Sequence, residues 1–225
     1  MTTVIVCGMP DEKRILSAAL PGILVLSGID KLNLPRLVPK DCTRLIGAGV
    51  CGGLSPDLVV PQVALATTIK HKTGAAAICD PRWNQRAIDA ADAAGIVLHP
   101  VPYYSDGLQN EANDPAQRAA LFAKYGAHAI DDELRFVVAE AQRRGVPINS
   151  FRPLSDDYRA KLPLLATGKI MNPDGSPNLA YLATALGEDQ GEGSESVFKV
   201  MSDYKASLDA LEDVAKALAP LIAQG

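Results

Sequence analysis

The 225-residue chain has no Cys-x-x-Cys pair, no cluster of lysines and arginines, and no apolar run long enough to span a bilayer. Its four cysteines (Cys7, Cys42, Cys51, Cys79) lie far apart. That spacing makes neither a zinc site nor a disulfide framework, and free thiols point to a reducing cytoplasm. The three histidines, His71, His99 and His128, share no metal-ligand spacing, so no metal is expected. Charge of one sign is also lacking: 22 basic against 26 acidic residues leave a formal net charge of -4. Neither a nucleic acid nor a membrane surface is therefore an expected partner. The N-terminal run MTTVIVCGMP has no basic flank and no cleavage site, so it reads as a strand rather than a signal peptide. What remains is 48% hydrophobic and 21% charged, the balance of an ordinary globular chain.

Strand and helix signals alternate. TVIVC (3–7), ILVLSG (23–28), RLIGAGV (44–50), QVALATTI (62–69), IVLHPV (96–101) and VPINSFRPL (146–154) read as strands, the last ending its pairing at Pro153. DEKRILSAAL (11–20), RWNQRAIDAADAAG (82–95), QRAALFAKYGA (117–127) and roughly 197–223 read as helices. The clearest helix is AIDDELRFVVAEAQRRG (129–145), where Ile130, Leu134, Val137, Val138 and Ala141 form one apolar stripe and Gly145 suits the C-cap. The polar stretch 103–117 reads as a loop, and the acidic, glycine-rich 187–196 as a flexible surface loop inside a single domain spanning 1–225. This order implies an α/β layered domain, whose ligands sit at the carboxyl ends of its strands. That rule gathers Gly8–Glu12, Gly49–Gly53 and Ser155–Asp157 at one place.

Each candidate has a plain structural reading. GAGVCGGL (47–54) makes a tight turn and lets backbone approach a ligand. No Gly-Lys-Ser/Thr follows it, which excludes a P-loop, and no helix follows it as a dinucleotide fingerprint requires. The acids of IDDE (130–133) suit a helix first turn, as does Glu12 in GMPDEKR, and Ser155 or Asp156 suits an N-cap. Glu133, one turn before Val137, is placed to face inward, where a carboxylate needs partners such as ligand hydroxyls.

Taken in order, these segments resemble the nucleoside phosphorylase and nucleosidase superfamily. VIVCGMPDEKRIL (4–16) is similar to its first strand and turn, GVCGGLSPDLVVPQVALAT (49–67) to its glycine loop, KYGAHAIDDELRFVVAEAQRRGVP (124–147) to its acidic helix, and FRPLSDDYRAKLP (151–163) to its Arg-x-x-Ser-Asp strand end. AQRAALF (116–122) resembles a segment of the branch associated with hopanoid biosynthesis. The resemblance implies a three-layer α/β/α sandwich around a twisted mixed β-sheet. It also implies cleavage of the N-glycosidic bond of a purine nucleoside, adenine favoured, or of a nucleoside-linked lipid. It assigns Asp156 as the acid that protonates the leaving purine, Glu12 as the group that activates water, and Glu133 as the reader of the ribose hydroxyls. It places Gly8, Val50, Cys51, Gly52, Leu108, Asp132, Phe151 and Ser155 around the substrate, and implies a homo-oligomer, a dimer being favoured.

The chain departs from the family pattern at Asp132, where the family carries a Met against the ribose, and at Asp157, where it carries a small or neutral residue. Gly47 and Val50 stand where the phosphorylase branch holds phosphate with Arg and Ser, leaving Arg14 as a partial substitute. The expected nucleophile is therefore water rather than phosphate, with no cofactor apart from phosphate as the alternative co-substrate. A phosphorylase and a non-catalytic nucleoside-binding relative are the competing readings.

Overall fold

Val4–Cys7 is apolar at every position, the mark of a strand covered on both faces. The computed structural model describes residues 2–73, 76–105, 112, 114–160 and 192–224. Its strands are β1 (Thr2–Cys7), β2 (Leu24–Ser27), β3 (Cys42–Ala48), β4 (Cys51–Gly53), β5 (Val63–Lys70), β6 (Ala76–Ile78), β7 (Leu98–Tyr104), β8 (Ala129–Ile130) and β9 (Ile148–Asp156). Its α-helices are α1 (Pro10–Ala19), α2 (Leu34–Leu37), α3 (Pro81–Ala93), α4 (Pro115–Tyr125), α5 (Leu134–Arg144) and α6 (Glu192–Ala223), with a 3₁₀ segment at Gly28–Asn33.

The strands form one mixed sheet in the order β2-β1-β3-β9-β4-β8-β7-β5-β6. Strands β2, β1, β3 and β9 run parallel, whereas β5 meets β9 antiparallel through Val63↔Pro153 and Leu65↔Phe151. That last pairing closes β9, β4, β8, β7 and β5 into a ring. Alternation along β1 sends Val4 and Val6 to one core and Ile5 and Cys7 to the other. Helices α1, α3 and α6 cover the second face with Ile15, Leu16, Trp83, Ala87, Val214 and Leu218. Helices α2 and α5 cover the first with Leu34, Leu134, Val137, Val138 and Ala141. Each of these buried Leu and Val side chains contributes roughly 1.5–3 kcal/mol of transfer free energy. This is the expected α/β/α sandwich.

Several boundaries differ from the sequence reading. Strand β9 continues past Pro153, because Leu154 N still donates to Gln62 O at 3.0 Å and Leu154 pairs with Cys51 in β4. Strand β7 runs on through Tyr104, inside the stretch read as loop. Helix α5 begins at Leu134 rather than 129. Ala129 and Ile130 are taken into the sheet against Gly53 and Gly52, and the Asp131 side chain then accepts Leu134 N at 2.6 Å. Helix α6 begins at Glu192, so 192–196 is helix rather than loop; 187–191 lie outside the described residues. Among the described residues, no helix is long and apolar enough to cross a membrane.

Candidate active site

At the carboxyl ends of β1, β3, β4 and β9 three glycines each face one carboxylate. A Cβ on Gly8 would stand 3.0 Å from Glu133 Cδ, one on Gly49 2.8 Å from Glu12 Cδ, and one on Gly52 3.0 Å from Asp156 Oδ2. Any larger residue would push into an acid. The glycines thus make room for three carboxylates drawn from α1, the start of α5 and the end of β9. Gly49 is further restricted by its φ of +152°, which side-chain-bearing residues rarely adopt.

Glu12 is buried at 1% exposure. Its Oε2 accepts Gly8 N at 2.8 Å and Met9 N at 2.9 Å, and its Oε1 accepts Val50 N at 2.7 Å. The bond from Met9 N makes it the capping acid of α1, as the helix-start reading expects. Burial pushes its carboxyl up from the ordinary range, against the pull of Arg152 and of the amide donors.

Arg152 is completely buried on β9. Its Nη1 donates to Val50 O at 2.9 Å, lies 2.6 Å from Asp131 Oδ2 and 4.0 Å from Glu133 Oε2. Its Nε and Nη2 have no protein partner. Glu133 Oε1 takes the Lys31 ammonium at 3.0 Å. Asp131 and Glu133 form a tightly linked pair. Burial and the charge of Glu133 drive Asp131 up against Arg152. Burial acts on Glu133 in the same sense, but Arg152, a bond with Asp131 and Lys31 outweigh it and hold Glu133 down. Arg152 is nearer Asp131, whereas Glu133 has both Arg152 and Lys31 within 4.0 Å. Burial and Glu133 push Asp132 up to about 6.

Asp156 meets the fully buried Arg118 of α4, with Nη2 to Oδ2 at 2.5 Å. The contact lacks hydrogen-bond alignment, so the buried Oδ2 keeps its accepting capacity. Ser155 Oγ donates to Asp156 Oδ1 at 2.8 Å and lies 3.2 Å from Cys51 O. Arg118 Nη1 also donates to Gly53 O at 2.8 Å and to Asp157 O at 3.0 Å, tying the ends of β4 and β9 together. The Asp157 carboxylate instead accepts Arg159 N at 2.8 Å and caps the following turn.

A family model described as the phosphorylase superfamily matches residues 29–164. The chain belongs to that superfamily. No curated protein matches it by sequence. Among solved structures, a 5′-methylthioadenosine/S-adenosylhomocysteine nucleosidase of Helicobacter pylori superposes with a TM-score of 0.68 at 13% identity, covering 100% of this chain and 99% of that one. The Campylobacter jejuni nucleosidase of the same description gives 0.64 at 16% identity, over 96% and 99%. A purine nucleoside phosphorylase of Toxoplasma gondii gives 0.62 at 18%, over 99% and 92%. At such identities the likeness speaks for the superfamily fold.

Within that fold, the structure brings Glu12, Glu133, Asp156, Gly8, Val50, Gly52 and Ser155 to one end of the sheet, with Asp132 beside Glu133. Cys51 is buried there, its thiol pushed up by burial, and its Sγ lies 3.6 Å from Arg152 O and bonds with Tyr103. Phe151 calls for a correction. It is fully buried in the core under α1, α3 and α6, because strand alternation turns it away from the face that carries Arg152. Leu108 lies outside the described residues. Arg14 is 71% exposed at its side chain and sits 3.6 Å from Asp11, on the outer side of α1. Sequence reasoning missed Asp131, Arg152, Lys31 and Arg118. A lone arginine inside the apolar run of β9 was the available signal for Arg152, since a buried guanidinium requires acids. Lys31 and Arg118 reach the site only through tertiary packing. Among the described residues, no group of three His, Cys, Asp or Glu side chains is placed to hold a metal.

Proposed function

We propose that this protein hydrolyses the N-glycosidic bond of a purine nucleoside, with an adenine nucleoside favoured. One observation carries the choice of water. Gly8, Met9 and Val50 N–H groups converge as an anion-binding nest, and the Glu12 carboxylate already fills it. A phosphate at that place would meet a carboxylate in a buried site and find its donors taken. An arginine at position 47 is also shut out, because a Cβ there would lie 2.2 Å from Leu134 Cδ2. Water suits the same place. Glu12 can accept its proton, and the buried Arg152 beside it balances part of the site's negative charge.

Water loses a proton to Glu12 and bonds to the anomeric carbon. The carbon–nitrogen bond breaks with its electron pair passing to the purine, and Asp156, having taken up a proton from solvent as substrate binds, delivers it to N7. Glu133, held ionised by two cations, accepts the ribose hydroxyls and stabilises the positive charge that develops on the sugar. The methylthioadenosine and adenosylhomocysteine named for the similar nucleosidases support adenine as the base.

The nucleosidase and phosphorylase descriptions of the similar structures support this reaction class. Chromatography of free base released from adenosine, inosine, methylthioadenosine and an adenosylated lipid tests it. Adenine release from at least one supports the reading, and release of hypoxanthine alone would overturn the choice of base. The Arg118–Asp156 pair also favours a second reading, a non-catalytic purine binder, whose signature is thermal stabilisation by adenine with no turnover of any nucleoside.

A further inference from the structure

We propose that Arg118 is a positioning residue for the leaving-group acid, acting through Asp156 and not touching the substrate. The inference rests on the hydrolase reading above and adds a residue to it. Arg118 sits on α4, an element separate from the strand ends that carry the acids, and only 1% of it is exposed. Its guanidinium makes three contacts around one point: Gly53 O at 2.8 Å, Asp157 O at 3.0 Å and Asp156 Oδ2 at 2.5 Å. Two are carbonyls flanking the acid and the glycine loop, and the third is the acid itself. The carbonyls join two strand ends, and the carboxylate supplies the counter-charge that a buried guanidinium needs. The third contact fixes the rotamer of Asp156.

The contacts divide the carboxylate. Oδ1 is held by Ser155 Oγ at 2.8 Å, whereas Oδ2 touches Arg118 without an aligned hydrogen bond and faces the space above Gly52. Arg118 thus steers the buried oxygen, and the exposed part of the side chain, 14% of it, is left to meet a ligand. By pinning Oδ2, Arg118 sets the direction in which the carboxyl group presents Oδ1 to a purine edge. Positioning of this kind acts on the chemical step, because an acid displaced from N7 by a fraction of an ångström still allows the sugar to bind.

A double-mutant cycle tests the inference on the wild type, Arg118→Met, Arg118→Lys, Asp156→Asn and the Arg118→Met/Asp156→Asn double variant. The readouts are kcat, KM, melting temperature and adenine affinity. Arg118→Met should lower kcat by about 10–100-fold, part of the roughly 10²–10⁴ that a positioned acid supplies, with KM little changed. Arg118→Lys should recover part of the loss. In the Asp156→Asn background, Arg118→Met should cause no further fall, because the group it positions is already gone. Equal losses in both backgrounds, or an unchanged kcat with a lowered melting temperature, would make Arg118 a strut and overturn the inference. If the wild type releases no base, the hydrolase reading falls, and the same cycle is read on adenine affinity. Non-additive losses there support positioning of Asp156, and additive losses reject it.

Discussion

Both ends of the sheet set an arginine among polar partners, half-buried at the amino end and fully buried at the carboxyl end, and the two ends differ in how far the protein completes the set. At the amino ends of β3 and β9, Arg44 donates to Asn149 Oδ1 at 2.5 Å and to Asp80 Oδ2 at 2.9 Å. Asn149 Nδ2 donates to Asn84 Oδ1 at 2.8 Å, and Asn84 Nδ2 to Ala66 O at 2.8 Å. Arg44 Nε and Trp83 Nε1 are left over, and the Arg44 guanidinium lies 5.9 Å from the Trp83 ring. At the carboxyl ends the leftover atoms are Arg152 Nε and Nη2, Arg118 Nε and Asp156 Oδ2, all on charged groups and beside carboxylates. The amino-end network is the more nearly closed, with two atoms left over against four at the carboxyl end. The carboxyl-end leftovers all lie on charged groups, where an unmade hydrogen bond costs most.

The largest effect that sharpens this contrast is at the open end. Asp156→Asn should lower base release by about 10²–10⁴-fold in folded protein, with a lowered melting temperature because the buried Arg118 loses its counter-charge. A variant releasing base at the full rate would remove Asp156 from the chemistry. Gly49→Ala comes next. Its Cβ would collide with the Glu12 carboxylate and its φ is unfavourable, so activity should fall with a stability loss of about 1–3 kcal/mol in denaturant unfolding. At the closed end, Asp80→Ala should cost about 1–3 kcal/mol, since Asp80 both caps α3 through Arg82 N and Trp83 N and pairs with Arg44. Its kcat should nonetheless match the wild type, and a loss of kcat without a loss of stability would break the comparison.

Asp132 gives a smaller effect with a definite sign. Its folded-state value is raised from 3.8 to about 6, so between those values the folded state binds more protons than the unfolded one. Its contribution to stability is therefore present below about 4 and lost as pH rises through about 6. Asp132→Asn should flatten that part of the melting-temperature profile and raise the melting temperature near neutrality by about 2–4 °C per kcal/mol relieved. An unchanged profile would show that Asp132 is solvated. The smallest effect is expected at Arg14, where Arg14→Ala should leave stability within about 0.5 kcal/mol and base release unaltered, with or without phosphate.

These contrasts also explain what was legible in the sequence. β-Branched runs marked β1, β3 and β5, and Gly145 marked the end of α5, because those signals are local. The strands β4 and β8 are three and two residues long and carry no periodicity to read. Their pairing exists only once β9 lies beside β4, and it displaced the start of α5. The acids of the site were legible because helix-start and strand-end acids recur at the carboxyl ends of the strands. Their cations were less so, since Lys31 lies 102 residues from Glu133 and Arg118 38 residues from Asp156 (156 − 118). Phe151 was misjudged although the period of two along β9 argued for the core.

The most direct test of the central claim is the identity of the sugar product when a cleaved purine nucleoside is incubated with excess phosphate. Glu12 filling the amide nest predicts free sugar, formed at the same rate as in phosphate-free buffer. Sugar 1-phosphate, or base release only when phosphate is present, would mean that Glu12 leaves the nest for an anion, and would contradict the assignment of water as the nucleophile.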